Sequence, residues 1–186
     1  MEGTIKNLLF STERKGIKKL IICMEDNGFF TSPCSSQFHL CVNGGLAEHS
    51  LNVYNFMMQQ YENLPISSEI TYGNIILSSL LHDLGKMGQY GKPLYTENYL
   101  ANGTLSEKKP YVTNKLLLAV PHEIRSIQIA SQFIKLTEEE SFAILHHNGM
   151  YGDLKYQLQG KETPLQMLLH FSDMWASRVI EIEGDK

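Results

Sequence analysis

The sequence is poor in cysteine and has no long apolar run. Three cysteines, Cys23, Cys34 and Cys41, occur in 186 residues. They are odd in number and form no C-x-x-C pair. Cys34, His39 and Cys41 offer the donor types of a structural zinc site, but ordinary reduced thiols are the stronger reading. No apolar stretch reaches membrane-spanning length, which excludes a transmembrane helix. The first twenty residues lack a signal-peptide pattern. The expectation is a cytoplasmic protein without a membrane partner. Basic blocks are missing too, and net charge is −4. That argues against a broad duplex-DNA-binding surface, but leaves room for a nucleotide or short nucleic acid held at a metal site. No internal repeat, long linker or low-complexity segment interrupts the chain. At 42% hydrophobic and 19% charged, its composition is that of a globular protein. Residues 1–186 are expected to form one domain with a sizeable core.

What is present centres on Leu81-His82-Asp83-Leu84-Gly85-Lys86. An imidazole and a carboxylate follow the apolar run Ile75-Ile76-Leu77-Ser78-Ser79-Leu80-Leu81. Polar groups at such a place need partners, because burying them unpaired is costly. Turned toward one site, Asp83 can bridge two metal ions while His82 binds one. Gly85 suits a left-handed residue that stops the helix. Lys86 lies one turn past His82, close to any anion drawn to the metals.

In chain order, helical spacing predicts an amphipathic helix over 12–26, with Gly28 as its stop. A second helix, about 46–62, follows Asn43-Gly44-Gly45 and places His49 on its inward stripe. A turn at Pro65–Ser68 leads to a third, central helix from about Ile70 to Leu84. Residues 87–113 change character and are rich in Tyr, Asn, Gly and Lys. Asn102-Gly103 between Tyr95–Leu100 and Leu105–Thr113 predicts a β-hairpin insertion. It directly follows the His-Asp pair and is placed to cover it. Lys92, Tyr95, Tyr99, Lys108, Lys109 and Tyr111 suit substrate contact, although a solvated flap is the stronger reading. A fourth helix should run from Pro121 to about Lys135, with His122 in its first turn. Thr137 and Glu140 form a capping-box pattern for a fifth, which ends at His146-His147-Asn148-Gly149. Thr163-Pro164 opens a last helix to about Glu181, with Asp173 near its apolar face. The fold class is therefore all-α, a helical bundle with a small β insertion.

His49, His82, Asp83, His122, His146, His147 and Asp173 form an ordered set near helix ends or on inward stripes. They suffice for two metal shells. His49, His82, Asp83 and Asp173 would hold one ion, and Asp83 would bridge to a second held by His122, His146 and His147. Imidazole plus carboxylate suits Mn, Fe, Co, Ni or Zn.

The order H…HD…H…HH…D resembles the HD-domain metal-dependent phosphohydrolases. The resemblance spans about residues 43–181. It is sharpest in Gly44-Gly45-Leu46-Ala47-Glu48-His49-Ser50, in Leu81–Lys86 and in Ile144–Gly149. The first and last of these are also similar to the HD domain of bacterial 3′–5′ exoribonucleases of the YhaM type. The tyrosine-rich insertion looks like that of small stand-alone HD proteins of bacteria and phages. The resemblance implies an HD helical bundle with two divalent ions. It also implies cleavage of a phosphate ester of a nucleotide or short nucleic acid by metal-activated water. Asp83 and Lys86 are the expected catalytic residues, with Lys86 and Arg178 contacting the phosphate and His170 supporting the ligands. Two other readings stand beside this one: a diiron HD-fold oxygenase, and a non-catalytic metal- or nucleotide-binding regulatory module.

Overall fold

The structure is a computed structural model that describes residues 1–65 and 70–182. Eight α-helices and one two-stranded sheet are present among the described residues. The turn expected at Pro65–Ser68 lies largely outside them.

The chain opens with α1, Glu2–Ser11, which the sequence reading did not anticipate. Only Ile5 and Leu9 of this helix are buried, so its apolar stripe is two residues long. α2, Ile17–Asp26, buries Ile17, Leu20, Ile21 and Met24. It starts five residues later than expected because Gly16, at φ 94°, holds a left-handed turn before it. α3, Gly45–Asn63, matches its expected span and carries His49 inward. The glycine pair before it has a steric cause. Gly44 takes φ 80°, and a Cβ on Gly45 would lie 2.1 Å from the Leu40 carbonyl oxygen.

α4, Tyr72–Leu81, is the central helix, with every residue from Ile75 to Leu81 buried. Thr71 and Asn74 cap it reciprocally. The Ser78 and Ser79 hydroxyls donate to the Asn74 and Ile75 carbonyls, each at 2.6 Å, so neither is left unpaired in the core. α4 ends before His82, and a 3-10 turn follows at Leu84–Met87. β1, Tyr95–Glu97, pairs antiparallel with β2, Tyr111–Thr113, with Tyr95 opposite Thr113. The hairpin is closed near Asn102-Gly103, where the Leu100 N–H donates to the Thr104 carbonyl.

α5, His122–Ala130, stops five residues short of its expected end. α6, Glu138–Leu145, carries the capping box of Thr137 and Glu140. Glu140 is fully buried and also receives Arg14 Nη2 at 2.6 Å and Asn74 Nδ2 at 3.0 Å. It thereby ties the N-terminal segment and α4 to α6. α7, Lys155–Leu158, is one further turn not expected from the sequence. α8, Pro164–Trp175, gives way to a π-helical turn at Ala176–Ile180.

Two apolar clusters flank the polar centre. One joins α1, α2, α4 and α5 around Leu20, Leu77 and Leu80. The other joins α3, α4, α6 and α8 around Val53, Ile75 and Leu169. The C-terminal ends of α4 and α6, the start of α5, the first half of α3 and the last turn of α8 meet between them. No described helix is long and apolar enough to cross a membrane.

Candidate metal centre

Side chains from five helices converge on Asp83. His49 Nε2 lies 3.2 Å from His82 Nε2 and 3.1 Å from Asp173 Oδ1. Asp83 Oδ2 is 3.6 Å from the first and 3.4 Å from the second of those imidazole nitrogens. On the other side, Asp83 Oδ1 is 3.2 Å from His122 Nε2 and 3.6 Å from His147 Nε2. His122 and His147 bring their Nε2 atoms within 3.3 Å of one another. The two carboxylate oxygens of one residue thus belong to two different donor clusters.

These spacings are those of shared ligation. Donors bound at about 2.1 Å to one ion sit roughly 3.0–3.4 Å from one another. The outer nitrogens are already engaged. His82 Nδ1 donates to the Ser79 carbonyl and His147 Nδ1 to the Ile144 carbonyl, each at 2.8 Å. A carbonyl only accepts, so both Nδ1 atoms carry hydrogen, which leaves the inward Nε2 of each ring as the nitrogen able to ligate. His49 Nδ1 faces both Glu181 oxygens at 3.0 Å, and His122 Nδ1 lies 3.4 Å from Glu123 Oε2. Converging lone pairs repel unless a cation sits between them. Asp83 Oδ1 is buried and accepts no hydrogen bond, an orphaned acceptor whose chemistry suits a cation.

The local charge points the same way. Burial penalises ionised Asp83, yet Lys86 and His82 outweigh it and hold its carboxyl well below the usual range. Burial is likewise overcome at Asp173, where the His49 hydrogen bond lowers the pKa. Burial opposes ionised Glu181, but hydrogen bonds from His39 and His49 bring it down to about 2. His147 is pushed the other way, down to about 3, by burial and by neighbouring His82. At neutral pH the centre therefore holds ionised carboxylates and at least one neutral imidazole. Lys86, 2.6 Å from Asp83 Oδ2, is the ammonium in contact with this set. Burial opposes its charge, but Asp83 holds its pKa well above the ordinary value. The donor set fits divalent cations: His49, His82 and Asp173 form one compact group, and His82, Asp83 and His147 another.

Two expectations need correction. His146 does not join the others. Its ring packs on Phe142, with centroids 4.6 Å apart, while its carbonyl accepts from Gln166. It caps α6 at φ −110°, and that turn in the backbone sends His146 and His147 in different directions. Gly85 is not left-handed. It lies in the 3-10 turn, and its lack of a side chain answers to close approach: a Cβ there would lie 2.3 Å from the His122 carbonyl oxygen.

Lys86 sits at the centre, whereas Arg178 does not. Arg178 is exposed and holds its guanidinium 4.8 Å over the Tyr151 ring. His170 Nδ1 donates to the His147 carbonyl at 2.7 Å, so it braces a backbone that carries a donor. The imagined trio Cys34, His39 and Cys41 is not assembled; Cys34 and His39 instead group with His49. Burial pushes the Cys34 thiol up to about 11, and its sulfur lies 3.9 Å from Lys86 Nζ. Tyr95, at the root of the hairpin, is half-buried close enough to Lys86 and Asp83 to feel both charges.

Glu181 is the important residue absent from the sequence reading. It receives His39, His49 and Asn52. Helical counting from Asp173 could not place it, because the intervening π turn changes the register; its N–H reaches back to the Ala176 carbonyl. Glu123, next to His122 in the chain, lies 3.4 Å from that ring through Oε2 and accepts from Asn148 through Oε1 at 2.9 Å.

A family model described as the HD domain matches residues 46–173, from the start of α3 to the last carboxylate of the centre. No curated protein and no solved structure matches the chain.

Proposed function

The chain belongs to the HD-domain family, and from that premise we propose that it is a metal-dependent phosphohydrolase acting on a phosphate ester of a nucleotide or short nucleic acid. The observation that carries this reading is the division of the Asp83 oxygens between two donor clusters. His49, His82, Asp83 and Asp173 would hold one divalent ion, and Asp83, His122 and His147 would hold a second.

When bound, such ions supply Lewis acidity to phosphoryl oxygens and lower the pKa of water. The protein does the remaining work. Glu181, Ser79 and Ile144 hold His49, His82 and His147 through their Nδ1 atoms, so that each Nε2 points inward, and Glu123 stands behind the His122 ring. Lys86 holds Asp83 Oδ2 in place and presents positive charge where a phosphoryl group gains negative charge during attack. Apolar residues of α4 close the floor against water.

The test is metal analysis joined to a hydrolysis screen. Protein loaded with Mn, Fe, Co, Ni or Zn is offered nucleotides, cyclic dinucleotides, short RNA and single-stranded DNA. His82→Ala and Asp83→Ala are expected to lose bound metal and turnover together; normal turnover in either rejects the mechanism. Lys86→Ala should keep the metal and lose rate. Oxygen-dependent turnover by the iron form, without phosphate release, would favour the oxygenase reading instead.

A further inference from the structure

A cleft of about 810 Å3 lies beside the metal centre, between the 37–42 loop, the hairpin and the C-terminal turn. A phosphate group alone does not need such a volume, which is in the range that holds a whole organic ligand. The cleft is joined to the centre. A smaller cavity of about 100 Å3 opens beside Asp173 and Tyr151, and the two cavities share Ser177 and Arg178. The π turn at Ala176–Ile180 carries both shared residues. The cleft thus adjoins the centre twice, through Glu181, which lines it and pairs with His49, and through Ser177 and Arg178, which also line the cavity at Asp173.

The walls have a consistent chemistry. Phe38 is 73% exposed, although a phenyl ring is among the side chains best hidden from water. Two cations, Lys108 and Arg178, line the cleft with it. Of the two acids there, Glu181 is turned away into its bonds with His39, His49 and Asn52, and Glu107 is exposed next to Lys108. An open aromatic face flanked by cations is how proteins take a base and its neighbouring phosphate from a single strand. Asp173 and Arg178 both line the smaller cavity, so groups held at these two residues face a common space.

Resting on the phosphohydrolase reading, we infer that this cleft is a nucleoside-binding subsite, in which Phe38 stacks a base and Arg178 and Lys108 grip the phosphate next to the scissile one. The substrate is then a phosphodiester with a nucleoside on each side and a second phosphate, a terminally phosphorylated dinucleotide or longer single strand, and a free mononucleotide, which cannot fill both places, is the weaker substrate.

The experiment uses the full chain loaded with manganese. Steady-state hydrolysis of a terminally phosphorylated dinucleotide is compared with that of a mononucleotide and of bis(p-nitrophenyl) phosphate. Separately, a phosphorothioate dinucleotide containing 2-aminopurine reports stacking through fluorescence quenching. The dinucleotide KM should be about tenfold below that of the mononucleotide, the scale of one base–aromatic contact. Phe38→Ala should raise the dinucleotide KM by about tenfold, move kcat far less, and abolish the quenching. Arg178→Ala should weaken dinucleotide binding and flatten its salt dependence. Equal KM for mononucleotide and dinucleotide, or full quenching in Phe38→Ala, overturns the subsite while hydrolysis of bis(p-nitrophenyl) phosphate leaves the phosphohydrolase reading standing. Conversely, Phe38-dependent quenching without hydrolysis of any ester supports the subsite and sinks the phosphohydrolase reading. Because Phe38 is exposed, its replacement does not threaten the fold, and equal metal content in the variant checks this.

Discussion

The Nε2 atoms of His49 and His82 face one another across 3.2 Å, and each ring has its other nitrogen engaged from behind. Burial opposes a charge on His49, but Cys34, Asp173 and Glu181 outweigh it and hold its pKa well above the ordinary value; once that proton leaves, the two Nε2 atoms face one shared point. A proton can relieve the contact, but a divalent ion relieves it and also neutralises Asp83 and Asp173. The folded chain therefore binds such ions better than the unfolded chain does, and binding adds to stability. At a free metal concentration a hundred times the dissociation constant, the gain is about 2.7 kcal/mol. For a chain of this size that raises Tm by roughly 5–10 °C. Calorimetry of chelator-treated protein, before and after adding back manganese or zinc, measures it. An unchanged Tm would show that the centre is not a metal site.

His146 and His147 are neighbours in sequence with different surroundings. The ring of His147 is buried 3.6 Å from Asp83 Oδ1, and that of His146 lies on Phe142. His147→Ala should remove about half of the bound metal and most of the turnover. His146→Ala should keep the full metal content, with a modest loss of stability from the packing on Phe142. Elemental analysis of the two purified variants decides between them, and the opposite pattern would refute the assignment of His147.

Glu181 anchors His49 from behind without entering either donor cluster. Residues in that position fix ring orientation and raise donor basicity, and their loss typically costs 10–100-fold in metal affinity. Glu181→Ala should show a loss of about that size in metal titrations followed by calorimetry. Glu181→Gln keeps a carbonyl oxygen that accepts from His49 Nδ1, so its loss should be smaller. If the two variants bound metal like the wild type, His49 would be held by α3 alone.

Much of the centre was legible because burial makes polar residues conspicuous. His82 and Asp83 follow seven buried residues of α4, and His49 falls on the same stripe as Val53 and Met57. Apolar spacing alone therefore aims these side chains inward. The same logic fails where the backbone leaves regular geometry. Which of His146 and His147 faces the centre depends on the torsion angles of the α6 cap, and the position of Glu181 depends on a π turn. Neither has a periodic signature. α1 escaped for a different reason: two buried residues, Ile5 and Leu9, are too few to mark a helical face. The hairpin was legible through Asn102-Gly103, whose turn chemistry is local.

Gly85 links the spacing of the His-Asp motif to the second donor cluster. Its N–H donates to Ser126 Oγ at 2.8 Å, and that hydroxyl donates in turn to the His122 carbonyl at 2.8 Å. The added methyl of Gly85→Ala would lie 2.3 Å from the His122 carbonyl oxygen and 2.9 Å from Arg125 Cβ. Both are on the α5 backbone or at its root, so the helix must move away. Overpacking of this kind costs about 1–3 kcal/mol. The displacement falls on His122, which donates to the second cluster, and spares His49 and Asp173, which belong to the first. Gly85→Ala should therefore fold with a lowered Tm, keep one ion and bind the second weakly. Metal titration of the variant reads this directly: two undisturbed binding steps would mean that α5 accommodates the methyl without moving His122, and the close approach would lose its explanation.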